Sequence, residues 1–91
     1  MLKLIISKQS AKFLKKIHPK HSKQIAKKIM SLRLDPIASD SKILKDEFSD
    51  FRGADIGEFR IIYNFDKNTL TIFLIGKRND DEVYKILKRK I

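Results

Sequence analysis

The sequence predicts an α+β fold: an N-terminal strand, a two-helix hairpin, a three-stranded antiparallel meander and a short C-terminal helix. The helices are expected on one face of a largely antiparallel sheet. Three observations carry this. Apolar residues recur at helical spacing through the first third of the chain, and from Phe59 they switch to a period of two. Pro19, Asp35-Pro36 and Asp66-Lys67-Asn68 break the chain between those runs. A length of 91 residues holds one small core, so residues 1–91 read as a single domain.

Residues 2–6 are a short apolar run that reads as a strand. Ser7 caps a helix starting at Lys8, with Ala11, Leu14 and Ile17 at helical spacing and Phe13 beside them. Pro19 ends that helix and suits the first turn of the next, which runs from about Lys20 to Leu34. Ile25, Ile29 and Leu32 face inward there, with Ala26, Met30 and Leu34 alongside. The tight junction His18-Pro19-Lys20-His21 makes an antiparallel helical hairpin. Asp35-Pro36 stops the second helix. Residues 37–50 read as loop, with Lys42-Ile43-Leu44-Lys45 as a local exception.

Residues 51–55 form a strand weakened by Gly53, and Gly57 marks a tight link to the next; the three glycines, Gly76 included, read as turn or bulge positions. In residues 59–65, Phe59, Ile61, Tyr63 and Phe65 alternate with Arg60, Ile62 and Asn64. Asp66-Lys67-Asn68 supplies turn chemistry. Residues 70–75, apolar on both faces, return as a central partner strand. Asn79 caps the last helix, Glu82 holds the capping-box position, and Asp80 and Asp81 meet the positive end of its dipole. Val83, Leu87 and Ile91 form its buried stripe.

Charge is unevenly placed. The net charge is +10, and all of it sits in residues 1–45, where 12 lysines and arginines face only Asp35 and Asp40. Lys8, Lys12, Lys16 and Lys20 stand four apart, as do Lys23 and Lys27; like charges at that spacing cost roughly 0.2–0.5 kcal/mol per pair. Such a face is either a solvated, salt-screened surface or a docking site for a polyanion or acidic partner. Other chemistry is excluded by composition. No cysteine is present, which removes disulfides and cysteine zinc sites and fits a reducing cytosol. His18 and His21 flank a proline with no acid at ligand spacing, and no phosphate-binding loop, G-x-G-x-x-G or Ser-His-Asp pattern occurs. No run approaches the roughly 20 apolar residues that span a bilayer, and residues 2–6 are too short for a signal peptide. The chain reads as soluble and cytoplasmic, with neither metal nor cofactor.

What remains is a set of isolated cations and one phenol. Arg60 lies on the sheet face opposite the aromatic stripe, Lys77 and Arg78 follow the next strand, and Tyr84 sits in the first turns of the last helix. These can meet in a shallow cleft that grips a phosphate. Each also has an ordinary structural role open to it: Arg60 an ion pair with Glu58 or Asp55, Arg78 a salt bridge to Asp81 or Glu82, Tyr84 half-buried packing.

The tracts Lys42-Ile43-Leu44-Lys45, Phe51-Arg52, Gly57-Glu58-Phe59-Arg60-Ile61-Ile62-Tyr63 and Ile75 to Tyr84 resemble the RelE family of bacterial toxins, within the RelE/ParE superfamily. The resemblance covers essentially the whole chain. It implies a toxin of a type II toxin–antitoxin pair with a cognate antitoxin as partner, cutting mRNA in the ribosomal A site without metal. It places phosphate and transition-state binding on Arg60, leaving-group or phosphate contact on Arg78, and stacking or proton transfer on Tyr84. Arg52 falls near a position where the best-known members carry a lysine, and Ala54 where they carry a second. The general base stays open between Tyr84, Lys77 and a ribosomal group. RNA contact is expected of Lys42, Lys45 and Lys77, and docking on ribosomal RNA of Lys12, Lys16, Lys23 and Lys27. Two alternatives stand beside this: a ParE-like non-nuclease toxin that inhibits DNA gyrase, and a catalytically inactive homologue that binds ribosomes or RNA.

Overall fold

The computed structural model describes residues 1–79 and 82–90. The chain runs β1 (Lys3–Ile6), α1 (Lys8–Lys16), α2 (Pro19–Leu34), β2 (Ser41–Ile43), a 3₁₀ turn (Asp46–Phe48), β3 (Arg52–Ile56), β4 (Phe59–Phe65), β5 (Thr69–Lys77) and α3 (Glu82–Lys90). Five strands form one sheet in the order β1-β5-β4-β3-β2. The last four are antiparallel in sequence, and β1 pairs with β5 in parallel.

Local chemistry accounts for most boundaries. The Ser7 hydroxyl accepts from the Ser10 N–H and caps α1, while Pro19 takes the first turn of α2, where its missing N–H costs nothing. Gly57 has φ +56°, a region L side chains rarely adopt, and so closes the short link that sets Ile56 opposite Phe59 and Asp55 opposite Arg60. Asp66 Oδ1 accepts from the N–H groups of Asn68 and Thr69 and turns β4 into β5. Where β1 ends, Gln9 of α1 takes over the edge of β5. Its amide donates to the Ile75 carbonyl at 3.0 Å and accepts from the Ile75 N–H at 3.1 Å, as a strand residue would.

Helices cover both faces of the sheet, which corrects the one-face expectation. On one face Ile25, Ile29 and Leu32 of α2 are buried against Phe59, Ile61, Tyr63, Ile72 and Ile75, with Phe13 and Leu14 of α1 at the margin. On the other, Val83 and Leu87 of α3 close over Phe51, Ile62 and Leu74. The reason is alternation: Ile61-Ile62 and Leu74-Ile75 are apolar at consecutive positions, and a strand sends consecutive side chains to opposite faces.

Other expectations also change. The exception at residues 42–45 overlaps a strand, β2, whose Ser41, Lys42 and Ile43 pair with Ala54, Gly53 and Arg52 of β3. Gly53 and Gly76 lie within strands, and the sheet irregularity falls between Ile62 and Tyr63 instead. Met30 and Leu34 are exposed (42% and 71%), because α2 has solvent along that flank. Asn79 lies in a turn ahead of α3, whose first residue is Glu82. The roles expected of Asp80, Asp81, Ile91 and the Glu82 side chain fall outside the described residues.

Candidate functional site

Arg60 and Asp55 face each other directly across β4 and β3. Arg60 Nε donates to Asp55 Oδ1 at 2.6 Å and Nη2 to Oδ2 at 3.2 Å, so the carboxylate grips one side of the guanidinium at two points. Nη1 donates to Tyr84 Oη at 2.5 Å, with the guanidinium carbon 5.7 Å from the ring centroid. A guanidinium has five N–H bonds. Those contacts leave one N–H on Nη1 and one on Nη2. Because Tyr84 Oη accepts from Arg60, its own O–H is free to donate elsewhere.

Electrostatics reinforce the arrangement. The Asp55 carboxyl is held below its ordinary 3.8, first by the Arg60 hydrogen bond, against partial burial, then by the charges of Arg60, Arg78 and Lys42. Arg60 is held above its ordinary value, first by the hydrogen bond to Asp55 and, after a counteracting burial, by Tyr84. Both groups are ionised at neutral pH.

Backbone positions around Arg60 explain how Tyr84 arrives. Gly76 is its partner on β5. A Cβ at Gly76 would stand 3.3 Å from the Cβ of Val83, so the bare backbone lets the first turn of α3 lie down on the sheet. That close approach carries the next residue, Tyr84, onto Arg60. On the far side, Gly53 leaves room for Leu44, whose Cδ2 would meet a Cβ there at 3.2 Å.

A groove of about 460 Å³ opens here, walled by Tyr84 on one side and by β2 and the 3₁₀ turn on the other. Lys42 and Lys45 line it together with Arg60, while Asp40, Asp46 and Asp55 place acids in the wall. Phe48 adds a second ring, 6.4 Å from that of Tyr84 and tilted by 42°. Asp46 has φ +56°, a strained value for a residue with a side chain.

The structure therefore brings together Arg60, Tyr84, Lys42 and Lys45 among the expected residues. Arg78 stands exposed just past β5; its N–H donates to the Glu58 carbonyl at 2.9 Å, and its charge reaches Asp55 without its side chain lining the groove. Arg52 goes elsewhere: its Nε and Nη2 donate to Ser41 Oγ at 3.3 and 3.1 Å, and strand alternation puts it on the α2 face with Ala54. Lys77 alternates with Gly76 and so leaves the groove face as well. Lys12, Lys16, Lys23 and Lys27 are exposed on α1 and α2, across the sheet from the groove. Sequence reasoning weighed Asp55, beside Glu58, as an ion-pair partner of Arg60, and the structure makes that pair with Asp55; it did not single out Phe48. The signal for Asp55 was present, since the short link at Gly57 makes residues 55 and 60 direct cross-strand neighbours. For Phe48 there was none, because its segment has no periodicity. Among the described residues, no group of three His, Asp or Glu could hold a metal ion, and no helix is long and apolar enough to cross a membrane.

Solved structures of low sequence identity share this fold. A mutant of the E. coli toxin RelE in the free state matches with TM-score 0.78 at 17% identity, covering 99% of this chain and 97% of that one. The RelBE2 toxin–antitoxin complex from Mycobacterium tuberculosis gives TM-score 0.76 at 20% identity, covering 85% and 98%. The YoeB–YefM complex from Staphylococcus aureus gives 0.69 at 21%, covering 86% and 98%. No curated protein sequence matches the chain significantly. Residues 4–82, most of the chain, match the family described as "ParE toxin of type II toxin-antitoxin system, parDE". The chain belongs to that family of toxins, within the RelE/ParE superfamily.

Proposed function

We propose that this toxin is a ribosome-dependent, metal-independent mRNA endoribonuclease that inhibits translation in the cytoplasm, silenced by a cognate antitoxin. The observation that carries the reading is Arg60, fixed between Asp55 and Tyr84 with one N–H on each Nη left over, in an open groove lined by Lys42 and Lys45. A fork of that kind fits a phosphate. In the proposed reaction the 2′-hydroxyl oxygen bonds to the adjacent phosphorus and the bond to the 5′-oxygen breaks, leaving a 2′,3′-cyclic phosphate and a 5′-hydroxyl. Arg60 holds the charge growing on the phosphate oxygens, helped by Arg78 at the rim. Tyr84, whose O–H is not engaged by Arg60, donates its proton to the leaving oxygen. Lys77 faces away and Asp55 is committed to Arg60, and we assign the proton of the 2′-hydroxyl to a ribosomal group. That assignment makes cleavage depend on the ribosome.

The test is primer extension on a defined message, with and without ribosomes, using purified protein. Cuts on programmed ribosomes and none on naked message support the reading. Tyr84→Phe should be as slow as Tyr84→Ala if the hydroxyl gives the proton, and near wild type if the ring only stacks. The second reading, a ParE-like gyrase inhibitor, draws on the family match; intact message together with blocked supercoiling would establish it and remove the first.

A further inference from the structure

We propose that Asp55 is a positioning residue: by gripping one side of the Arg60 guanidinium it aims the free end of the fork at the substrate phosphate, while holding ground-state RNA binding below what an unpaired arginine would give. This rests on the reading of Arg60 as the phosphate-binding group. The geometry is built for it. Asp55 and Arg60 are cross-strand partners in the antiparallel ladder, so backbone hydrogen bonds fix the separation of their stems. Two carboxylate oxygens then engage Nε and Nη2, which sets the plane of the guanidinium as well as its position. Tyr84 takes a third N–H at Nη1. With those taken, an incoming phosphate has only the remaining N–H of Nη1 and of Nη2 to bind.

The same carboxylate carries a negative charge beside the place where the phosphate must arrive. Its effect on binding and its effect on chemistry are therefore opposite in sign. An ion pair that merely tethers two strands would affect neither the orientation at phosphorus nor the affinity for RNA in that opposed way.

Asp55→Asn in the full-length protein separates the two. Binding is read by fluorescence anisotropy with a short RNA carrying a 2′-deoxy nucleotide at its centre, which cannot be cut. Affinity should rise on the order of threefold to tenfold, the direction set by removing one negative charge near the site. Single-turnover cleavage of message on saturating programmed ribosomes should fall by roughly 10²-fold, as expected for a misaimed group. Asp55→Glu, which keeps the charge but shifts it by one methylene, should slow cleavage without tightening binding. In NMR spectra the Arg60 Nε–H of the wild type should exchange slowly with water, and that protection should vanish in Asp55→Asn. Wild-type cleavage by Asp55→Asn, or parallel loss of binding and cleavage, would overturn the proposal. If the wild type cuts no message, the ribonuclease reading fails separately. In that case a protected Nε–H with tighter RNA binding in Asp55→Asn upholds the clamp, and an unprotected one ends it.

Discussion

Replacing Arg60 with alanine removes both bonds to Asp55 and the bond to Tyr84 in one step. The fold should tolerate this. The paired side chains are 27% and 37% exposed, and ion pairs open to water typically contribute about 0.2–1 kcal/mol. Asp55 can rehydrate where it stands. The rate should not survive: losing one preorganised donor to developing charge costs roughly 2.7–4 kcal/mol of barrier, a fall of about 10²–10³-fold. Arg60→Lys sharpens the test, because it keeps the charge and discards the fork. A single ammonium cannot grip both Asp55 oxygens, meet Tyr84 and still present two parallel N–H groups to a phosphate. Lysine should therefore recover little of the lost rate. The assay is single-turnover cleavage on programmed ribosomes, with thermal melts by circular dichroism as the control for folding. Near-wild-type cleavage by Arg60→Ala, with an unchanged melt, would refute the site.

Gly76→Ala should slow cleavage several-fold with little loss of stability, since its Cβ must push Val83 and with it Tyr84 by a few tenths of an ångström; an unchanged rate would show that the approach of α3 is not critical. Changing Lys12, Lys16, Lys23 and Lys27 together to Gln should weaken ribosome binding and flatten its salt dependence, because each neutralised phosphate adds to that slope. An unaltered affinity across a salt series would return these lysines to solvated surface. Asp55, whose folded pKa lies below the ordinary value of 3.8, contributes stability that is present above pH ~4 and lost as pH falls through that lower value. The gap in melting temperature between wild type and Asp55→Asn should accordingly close in acid, and a gap constant from neutral pH down to pH ~2 would contradict it. Partial exposure keeps the effect to a few tenths of a kcal/mol.

The helices and β4 were legible because their burial repeats: Ile25, Ile29 and Leu32 mark one stripe, and Phe59, Ile61 and Tyr63 one sheet face. β2 was not. A strand from Ser41 to Ile43 is too short to show a period, and its existence depends on pairing with Arg52, Gly53 and Ala54 of β3. The second helical face was written in the sequence but not drawn from it. A strand apolar on both sides needs cover on both sides, and α3 was the only element left to supply it.

The site divides along the same line, and strand parity decides it. Residues 52 and 54 turn to the α2 face, residues 53 and 55 to the groove. The cation that the resemblance led us to expect at Arg52 is accordingly pinned to Ser41, Ala54 joins the core, and the position that meets Arg60 belongs to an acid. With no lysine from β3 in the groove, positive charge has to come from the neighbouring segment. Lys42 supplies it from β2, opposite Gly53, where the missing side chain leaves the groove open, and Lys45 follows at the entry to the 3₁₀ turn. The charge of Lys42 is felt at Asp55, so its place in the groove is electrostatic as well as spatial. Lys42 of β2 and Lys45 beside it thus complete the candidate site centred on Arg60.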